Sequence, residues 1–422
     1  MGLGVIRFDG RYARPLLIAA TVACLAFAWL ASKWHFANGV SSRVDVKELA
    51  DLMIGLAPAD PQTHFAAAVL YEKTFEQADA VRSLAEFETA TALTPNNYLL
   101  WLELGKARGR NGDTTGSEKA FLRALELAPN YSDVHWAYGN SLLRAGRIDD
   151  GFSRIRQAAA GRSVFVDPAV VTAMTMLDGD VEQVRRALDD SPAVNAALST
   201  FLLSGRNYDE AVAAWDRLPA NEKRTTYKQT GESLISQLIG TRQFRKASRV
   251  AAGVWDDEAT APKTGSTSNG GFETAIKQND DRLFSWQFGI GSNPQMGLSD
   301  AQKHGGAYSL YLNFNTVQAA DLRKVAQTVS VEPGSQYSFE VWYRADVKGS
   351  VAWEIVDACD GKQVALSPAI NPSADWMRVA VDFKVPASCD GVTLRLVRDG
   401  CMSAYCPISG NVWFDDISIH KK

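Results

Sequence analysis

The chain has 422 residues, carries a formal net charge of −4 and is 46% hydrophobic. This length exceeds what a single hydrophobic core usually organises, so two or more domains are expected. The ordinary composition excludes a globally disordered chain. No block of Lys and Arg residues stands out, which argues against a nucleic-acid partner.

An uncharged apolar run of 18 residues, Pro15 to Ser32, stands near the N-terminus. Three arginines precede it: Arg7, Arg11 and Arg14. A helix of this length covers roughly 27 Å, close to the ~30 Å hydrocarbon core of a bilayer. We therefore predict a single transmembrane anchor over 15–32 in a bacterial inner membrane, with residues 1–14 in the cytoplasm and the bulk of the chain in the periplasm. A cleaved signal peptide ending at Ala26-Phe27-Ala28 is the open alternative.

Equivalent residues in the next segment recur at intervals of 34 positions. They are Pro61, Pro95 and Pro129; Phe87 and Phe121, with Ile155 extending them; Ala90, Ala124 and Ala158; Gly105 and Gly139; and Gly112 and Gly146. Apolar residues at steps of three and four between Gly and Pro breaks indicate amphipathic helices. The segment is therefore predicted to be a helical repeat array.

This pattern resembles tetratricopeptide repeats. The residues that carry the resemblance are Trp101, Leu104 and Gly105 in a first helix, and Ser117, Phe121, Ala124 and Pro129 in a second. The resemblance implies an α-solenoid of five to six helix pairs over 44–256, with residues 44–57 as a lone second helix that leads into the array. It also implies a protein partner.

The inner groove of such an array is the predicted partner site. In the repeat family the groove is lined by the first helix of each pair, where this chain has Lys106, Arg110, Asn140 and Arg144. These side chains would suit an acidic or C-terminal carboxylate segment, because arginine can bind a carboxylate with two parallel hydrogen bonds. Glu72 and Glu76 in the preceding repeat make the charge mixed, so a simply solvated face remains the alternative.

The composition changes near residue 257. Residues 257–271 are rich in Thr, Ser, Gly, Lys and Pro and are predicted to be a linker. From residue 272 onward, short alternating runs replace the helical pattern. The predicted strands are 308–314, 326–331, 336–345, 350–357, 377–385, 392–398 and 411–420. We therefore predict an all-β jelly-roll sandwich over 272–422.

This half resembles the jelly-roll carbohydrate-binding modules of families four, nine and twenty-two. The matching elements are the opening Asn269-Gly-Gly-Phe-Glu273, Trp286, Gly305-Gly306, Val331-Glu-Pro-Gly334, Asp375-Trp376 and the closing Val412 to Ile419. The resemblance implies a structural calcium ion held by Glu273 and Asp415, with Asp416 as the alternative ligand to Asp415. The alternative is that these carboxylates are only turn and edge-strand charges.

Strand alternation selects a candidate sugar-binding face. In 339–344 it places Trp342 opposite the buried positions of the strand. Trp342 is therefore predicted to be an exposed stacking platform, because an indole ring can cover the C–H face of a sugar. The polar residues predicted to flank it on one sheet surface are Glu340, Arg344, Glu354 and Arg395. A solvated face with one amphipathic Trp is the alternative.

Four of the five cysteines fall in the last 64 residues. An even cluster in a β-rich domain indicates disulfides and hence an oxidising compartment. Of the three possible pairings we favour Cys401–Cys406 with Cys359–Cys389. Cys24 lies in the apolar N-terminal run.

No catalytic motif is evident in the sequence. Asp415 and Asp416 are neighbours on a strand, so they are expected on opposite faces and not as a glycosidase pair. We therefore expect a non-enzymatic envelope scaffold that recruits a protein through the solenoid and contacts polysaccharide through the sandwich, in exopolysaccharide assembly or secretion. No cofactor is expected to be required, and the structural calcium ion is the one candidate. A purely protein–protein adaptor and a polysaccharide-modifying enzyme are the alternatives.

Overall fold

Two units make up the chain, Met1–Asp190 and Ser191–Lys422. The structure, a computed structural model, describes residues 10, 13–74, 76–255, 260–278 and 280–422. Arg7 and Arg11 of the predicted basic flank lie outside the described residues, as do residues 257–259 of the predicted linker.

Helices alone make up the described part of the first unit. They are α1 (Ala13–Ser41), α2 (Lys47–Leu56), α3 (Pro61–Glu72), α4 (Gln77–Leu93), α5 (Tyr98–Arg110), α6 (Thr114–Leu127), α7 (Ser132–Arg144), α8 (Ile148–Gly161), α9 (Val166–Met176) and α10 (Val181–Leu188), with a 3-10 turn at Ser163–Phe165. From α3 onward they follow one another as pairs, which confirms the predicted helical repeats.

Small residues allow the two helices of a pair to approach closely. A methyl group added at Gly105 would lie 2.9 Å from the Phe121 ring, and one added at Gly139 would lie 2.8 Å from Cγ1 of Ile155. The Ser117 hydroxyl donates to the carbonyl of Gly105 at 2.7 Å. The 34-residue spacing of these small and large residues therefore reflects helix packing.

A repeated hydrogen bond joins α3, α5 and α7 to the turn before each of them. Trp101 Nε1 donates to the carbonyl of Pro95 at 2.8 Å, and His135 Nε2 lies 2.7 Å from the carbonyl of Pro129. His64 Nε2 makes the same contact with Pro58 at 2.9 Å. Pro58 is thus the structural equivalent of Pro95, whereas Pro61 is the first residue of α3. The 34-residue interval grouped Pro61 with Pro95, but the two are not structurally equivalent because the α3–α4 repeat is three residues longer.

Helix α2 is not the lone helix predicted for residues 44–57. It packs against the end of α1, where buried Ala37 contacts a cluster that includes Met53 and Ala57. The side chain of Asn38 also donates to Asp60 at 2.9 Å. The last turns of α1 therefore serve as the first helix of an additional pair.

The second unit contains the remaining helices and all strands of the described residues. The helices are α11 (Pro192–Ser204), α12 (Tyr208–Asp216), α13 (Ala220–Arg224), α14 (Lys228–Gly240) and α15 (Phe244–Val254). The strands are β1 (Gln287–Phe288), β2 (Gln295–Ser299), β3 (Ser309–Gln318), β4 (Val325–Ser330), β5 (Gln336–Ala345), β6 (Val351–Asp357), β7 (Gln363–Leu366), β8 (Ser373–Lys384), β9 (Gly391–Arg398) and β10 (Tyr405–Lys421).

The strands form two antiparallel sheets of five, packed as a sandwich. The front sheet has the order β2-β3-β10-β5-β8, and the back sheet has the order β1-β4-β9-β6-β7. Trp353 is fully buried between them, with its ring centroid 5.8 Å from that of Phe339 and 5.3 Å from that of Phe414. The predicted all-β sandwich after an all-α array is therefore confirmed.

Side-chain contacts join the last helix pair to the sandwich. The carboxylate of Asp390, in the turn before β9, accepts the backbone N–H groups of Phe244 at 2.8 Å and Arg245 at 3.0 Å. Asp390 thereby satisfies the exposed donors at the start of α15. Within the predicted linker, Gly265 donates to the carbonyl of Ser330 at 2.7 Å. The boundaries predicted at 256 and 271 remain predictions from composition.

Candidate functional site

The outer side of the front sheet carries the aromatic and polar side chains that alternation predicted to face away from the core. On β5, the side chains of Phe339, Val341 and Tyr343 are buried, whereas Trp342 and Arg344 are half-buried. Trp342 thus points away from the core, as alternation predicted. Its surroundings differ from the prediction.

A loop between β2 and β3 covers Trp342. The imidazole of His304 stacks on the indole, with ring centroids 3.9 Å apart and planes 14° from parallel. Trp376 from β8 meets the same imidazole edge-on at 5.7 Å. Earlier in the same loop, Gln302 accepts a hydrogen bond from Arg344 at 2.6 Å. Trp342 therefore supports the loop and is not the open platform that was predicted.

A half-buried aromatic surface, which we call the aromatic face, lies beside this loop. It consists of Tyr311 and Asn313 on β3, Asn411 and Trp413 on β10, and Arg344 on β5. The rings of Tyr311 and Trp413 lie 5.4 Å apart at 33°. Arg344 is the cross-strand neighbour of Trp413 in the register of β5 and β10.

Hydrogen bonds fix the polar groups of the aromatic face. Oδ1 of Asn411 accepts from the Tyr311 hydroxyl at 2.6 Å and from Nδ2 of Asn313 at 2.8 Å. Asp346 accepts from Nδ2 of Asn411 at 3.0 Å. This network holds one ring and two amides in fixed positions, so the ordering cost on binding a polar ligand would be small.

The other two residues of the predicted sugar-binding surface lie elsewhere. Glu354 is on β6 and Arg395 on β9, both in the back sheet, and they pair with each other at 2.5 Å. Grouping them with Trp342 on one surface was wrong, because alternation assigns a side chain to a face but not a strand to a sheet. Glu340 is on the front sheet, where it pairs with Arg378 at 3.4 Å.

Two carboxylates, those of Asp415 and Asp416, lie at a bulge in β10. The register of β10 against β5 shifts between Asp415 and Ser418, and Asp416 has a positive φ of 46°. The bulge places both aspartates against one loop: Asp415 accepts the N–H of His304 at 2.8 Å, and Asp416 contacts His304 Nδ1 at 2.7 Å. The expectation that they face opposite sides was wrong because a bulge interrupts strand alternation.

Glu273 of the opening segment contacts the same β2–β3 loop. Its carboxylate accepts the N–H of Ala307 at 2.9 Å. A methyl group added at Gly271 would lie 3.5 Å from Oδ1 of Asp416 and 3.9 Å from Oδ1 of Asp415. Burial raises the pKa of Asp415, and the backbone N–H groups of His304, Gly305 and Asp416 offset only part of this rise. Carboxylate oxygens are the ligands that calcium prefers in proteins, and the calcium site implied by the family resemblance stays a prediction.

Both predicted disulfides are present. Cys359 pairs with Cys389, and Cys401 pairs with Cys406. Asp357 lies near Cys359 and Cys389. The sulfur atoms of these two cysteines are bonded to each other, so they are not thiolate ligands for a metal ion.

The predicted groove residues lie on α5 and α7 as expected, and most of them have partners within the chain. Arg110 pairs with Glu72 at 2.7 Å, and Lys106 pairs with Glu103 at 2.8 Å. Asn140 donates to the carbonyl of Trp136 at 2.8 Å, whereas Arg144 is exposed at the end of α7. A partner carboxylate would compete with Glu72 for Arg110. The groove stays a prediction.

Comparison with known families confirms both resemblances. A family model for tetratricopeptide repeats matches residues 75–132 and 102–163, and one for a carbohydrate binding domain matches residues 264–398. The chain therefore combines tetratricopeptide repeats with a carbohydrate-binding domain of the jelly-roll type. The matched domains are binding modules and not catalytic ones. No curated protein matches the sequence.

Several solved structures are similar to one part of the chain. A CBM4 domain is 14% identical with a TM-score of 0.29, covering 37% of this chain and 99% of that one. The CBM22-1 xylan-binding domain of Paenibacillus barcinonensis Xyn10C is 14% identical with a TM-score of 0.26, covering 38% and 97%. A MamA structure is 19% identical with a TM-score of 0.27, covering 31% and 76%.

Sequence reasoning missed Tyr311 and Trp413 as site residues. Both occupy outward positions on strands that alternate clearly, since Leu310, Leu312 and Phe414 are buried. That signal was present in the sequence. Their proximity was not, because it depends on the pairing of β3 with β10, which are about a hundred residues apart in the chain.

Proposed function

We propose that this protein is a membrane-anchored, exported scaffold whose aromatic face binds polysaccharide and whose helical repeats bind a protein partner. Tetratricopeptide repeats suggest protein–protein interaction, and the carbohydrate-binding domain suggests a sugar ligand. Assembly or secretion of an exopolysaccharide is the process in which such a combination would serve.

The observation that carries the sugar-binding role is the aromatic face itself. Tyr311 and Trp413 offer two rings 5.4 Å apart, and Asn313, Asn411 and Arg344 surround them with hydrogen-bonding groups. Sugar rings present C–H groups on their faces and hydroxyls at their edges. Aromatic side chains bordered by amides and a guanidinium complement both.

The N-terminal helix and the disulfides support the proposed location. Helix α1 is long and apolar enough to cross a membrane, with a mean hydropathy of 2.0 over 18 residues, and a signal sequence has the same properties. Two disulfides require an oxidising compartment to persist. We propose that α1 remains as the anchor in the inner membrane, with both units in the periplasm.

Binding to a panel of immobilised polysaccharides tests the proposal, using the full chain in detergent. We expect at least one polysaccharide to be bound and Arg344→Ala to weaken that binding about tenfold or more, since a hydrogen bond to a charged group contributes about 1.5–3 kcal/mol. Arg395→Ala, on the back sheet, is the matched control and should leave binding unchanged.

Two results would contradict the proposed sugar-binding role. Absence of binding across neutral and acidic polysaccharides, with a protein partner still co-purifying, would favour the adaptor in which the sandwich is structural. Equal loss of binding in Arg344→Ala and Arg395→Ala would place the ligand away from the aromatic face.

A further inference from the structure

Helix α1 has two different environments along its length. In its first part the apolar side chains are exposed, for example Phe27 at 74% and Trp29 at 68%. In its last part Ala37 is fully buried and Ser41 is 2% exposed. The helix runs from Ala13 to Ser41 without interruption. One rigid element therefore joins the apolar segment to the helical array.

The last turns of α1 are packed from two directions. Ala37 belongs to an apolar cluster with Met53 and Ala57, and Val40 packs against the same cluster. Asn38 donates to Asp60, whose side chain also accepts the N–H of Gln62 at the start of α3. Asp60 is itself buried at 2% exposure. Helix α1 is thus fastened to both α2 and α3.

The distance between the apolar segment and these contacts is short. Ala37 is five residues beyond Ser32, which corresponds to roughly 8 Å of helix. Helix α2 runs back toward the apolar segment. It begins after the turn that follows Ser41, and its last turn packs in the same cluster as Ala37, which lies earlier in α1. The turn at 57–60 therefore lies level with residues 37 and 38 of α1.

We propose that the first helix pair of the array is seated on the membrane surface, with the α2–α3 turn facing the lipid headgroups and the α1–α2 turn facing away. The partner of this surface is the bilayer that contains α1, and the inference rests on the anchor in the proposed function. Interfacial Lys33 and Trp34 lie at the height where such side chains meet headgroups. The first unit would then project from the membrane in one orientation, without a flexible tether.

Spin labels on the full chain in lipid nanodiscs test this arrangement. Cys24→Ser removes the free thiol of the described residues, and a label is placed at Ala59→Cys or at Ser42→Cys, both exposed positions. Lipids that carry chelated Ni²⁺ on their headgroups then relax labels near the surface. We expect the relaxation at position 59 to exceed that at position 42 severalfold.

Two insertions between Lys33 and Trp34 provide the matched comparison. A Gly-Ser-Gly-Ser-Gly insertion should lower the relaxation at position 59 and bring the two positions close to equality. A seven-residue helical insertion, Glu-Ala-Ala-Ala-Lys-Glu-Ala, should move the array out by about 10 Å. It should lower both signals and keep their order.

Equal relaxation at positions 59 and 42 in the chain without an insertion would overturn the inference, as would no effect of the flexible insertion. Either result would leave the proposed membrane anchor α1 unaffected. If alkaline extraction instead releases the full chain from membranes, the proposed anchor fails, and this inference fails with it. The two failures are thus distinguished by separate measurements.

Discussion

Asp415 is the buried carboxylate on which the proposed calcium site depends most. It is fully buried, and its carboxylate accepts three backbone N–H groups, from His304, Gly305 and Asp416. Burial nevertheless raises its pKa, which means that the charged form is disfavoured relative to water. A cation beside the carboxylates of Glu273 and Asp416 would reverse this effect.

Calcium should therefore stabilise the sandwich. At a concentration 100 times its dissociation constant, a ligand that binds only the folded state adds about 2.7 kcal/mol. For a unit of this size that is roughly 5–10 °C in unfolding temperature. We expect calcium to raise the unfolding temperature of the EDTA-treated protein in differential scanning calorimetry, and Asp415→Ala to abolish the increase.

The control variant is Asp382→Ala. Asp382 is an exposed carboxylate on the front sheet that pairs with Lys422, so its loss should leave the calcium effect in place. An unfolding temperature that does not respond to millimolar calcium would show that the three carboxylates do not form a calcium site.

Two histidines of the repeats should respond to pH in opposite ways. The Glu86 carboxylate, 2.5 Å from Nδ1, raises the pKa of His64 above 6.5 in the folded state. The contribution of His64 to the free energy of unfolding is therefore complete below pH 6.5, and it is lost as the pH rises through the pKa of His64 in the folded state. Burial lowers the pKa of His135, so its contribution is lost as the pH falls below 6.5.

Urea unfolding measured between pH 5 and 9 checks this expectation. His64→Gln should remove part of the decline in unfolding free energy above pH 6.5. His135→Gln should instead remove part of the decline in unfolding free energy below pH 6.5. The assignment is contradicted if both variants follow the wild-type pH dependence.

Residue-level chemistry was only partly predictable from the sequence. Alternation placed Trp342 and Arg344 outward correctly, because a buried strand face leaves little freedom of register. It could not show that His304 covers Trp342, since that contact comes from a loop between β2 and β3. Nor could it reveal the bulge at Asp416, which depends on pairing with β5.

Close packing between paired helices limits which side chains the array can accommodate. A methyl group at Gly139 would lie 2.9 Å from the carbonyl oxygen of Gly151, a backbone atom that cannot move away easily. A methyl group added at Gly55 in α2 would have no described atom within 4 Å. The two glycines therefore differ in what surrounds them.

We expect Gly139→Ala to destabilise the array by about 1–3 kcal/mol, the usual cost of overpacking. Gly55→Ala should stabilise it by about 0.5–1 kcal/mol, since alanine loses less backbone entropy in a helix. Urea denaturation followed by circular dichroism measures both. Equal effects of the two substitutions would contradict the close approach of α7 and α8.

Most strands were predictable from the sequence because their alternation of apolar and polar residues extends over many positions. The predicted strand 336–345 coincides with β5, and the strands predicted at 350–357 and 392–398 differ from β6 and β9 by one residue. β1, β2 and β7 were missed because they contain two, five and four residues. Runs this short show no period that sequence alone can detect.

At the scale of the whole molecule, the proposed topology places the N-terminus in the cytoplasm and both units in the periplasm. Alkaline phosphatase fused after Lys422 should be active, because that enzyme folds only where disulfides form. An inactive phosphatase together with an active cytoplasmic reporter at the same position would contradict the topology.

Isothermal titration of two tryptophan variants tests whether polysaccharide binds at the aromatic face of Tyr311 and Trp413. The ligand is the polysaccharide identified from the panel, and the full chain is used. Loss of a central aromatic contact costs about 2 kcal/mol or more. Trp413→Ala should therefore weaken binding by roughly thirtyfold, whereas Trp342→Ala, which removes a ring already covered by His304, should weaken it by less than about tenfold. Wild-type affinity in Trp413→Ala, or a larger loss in Trp342→Ala, would contradict the assignment.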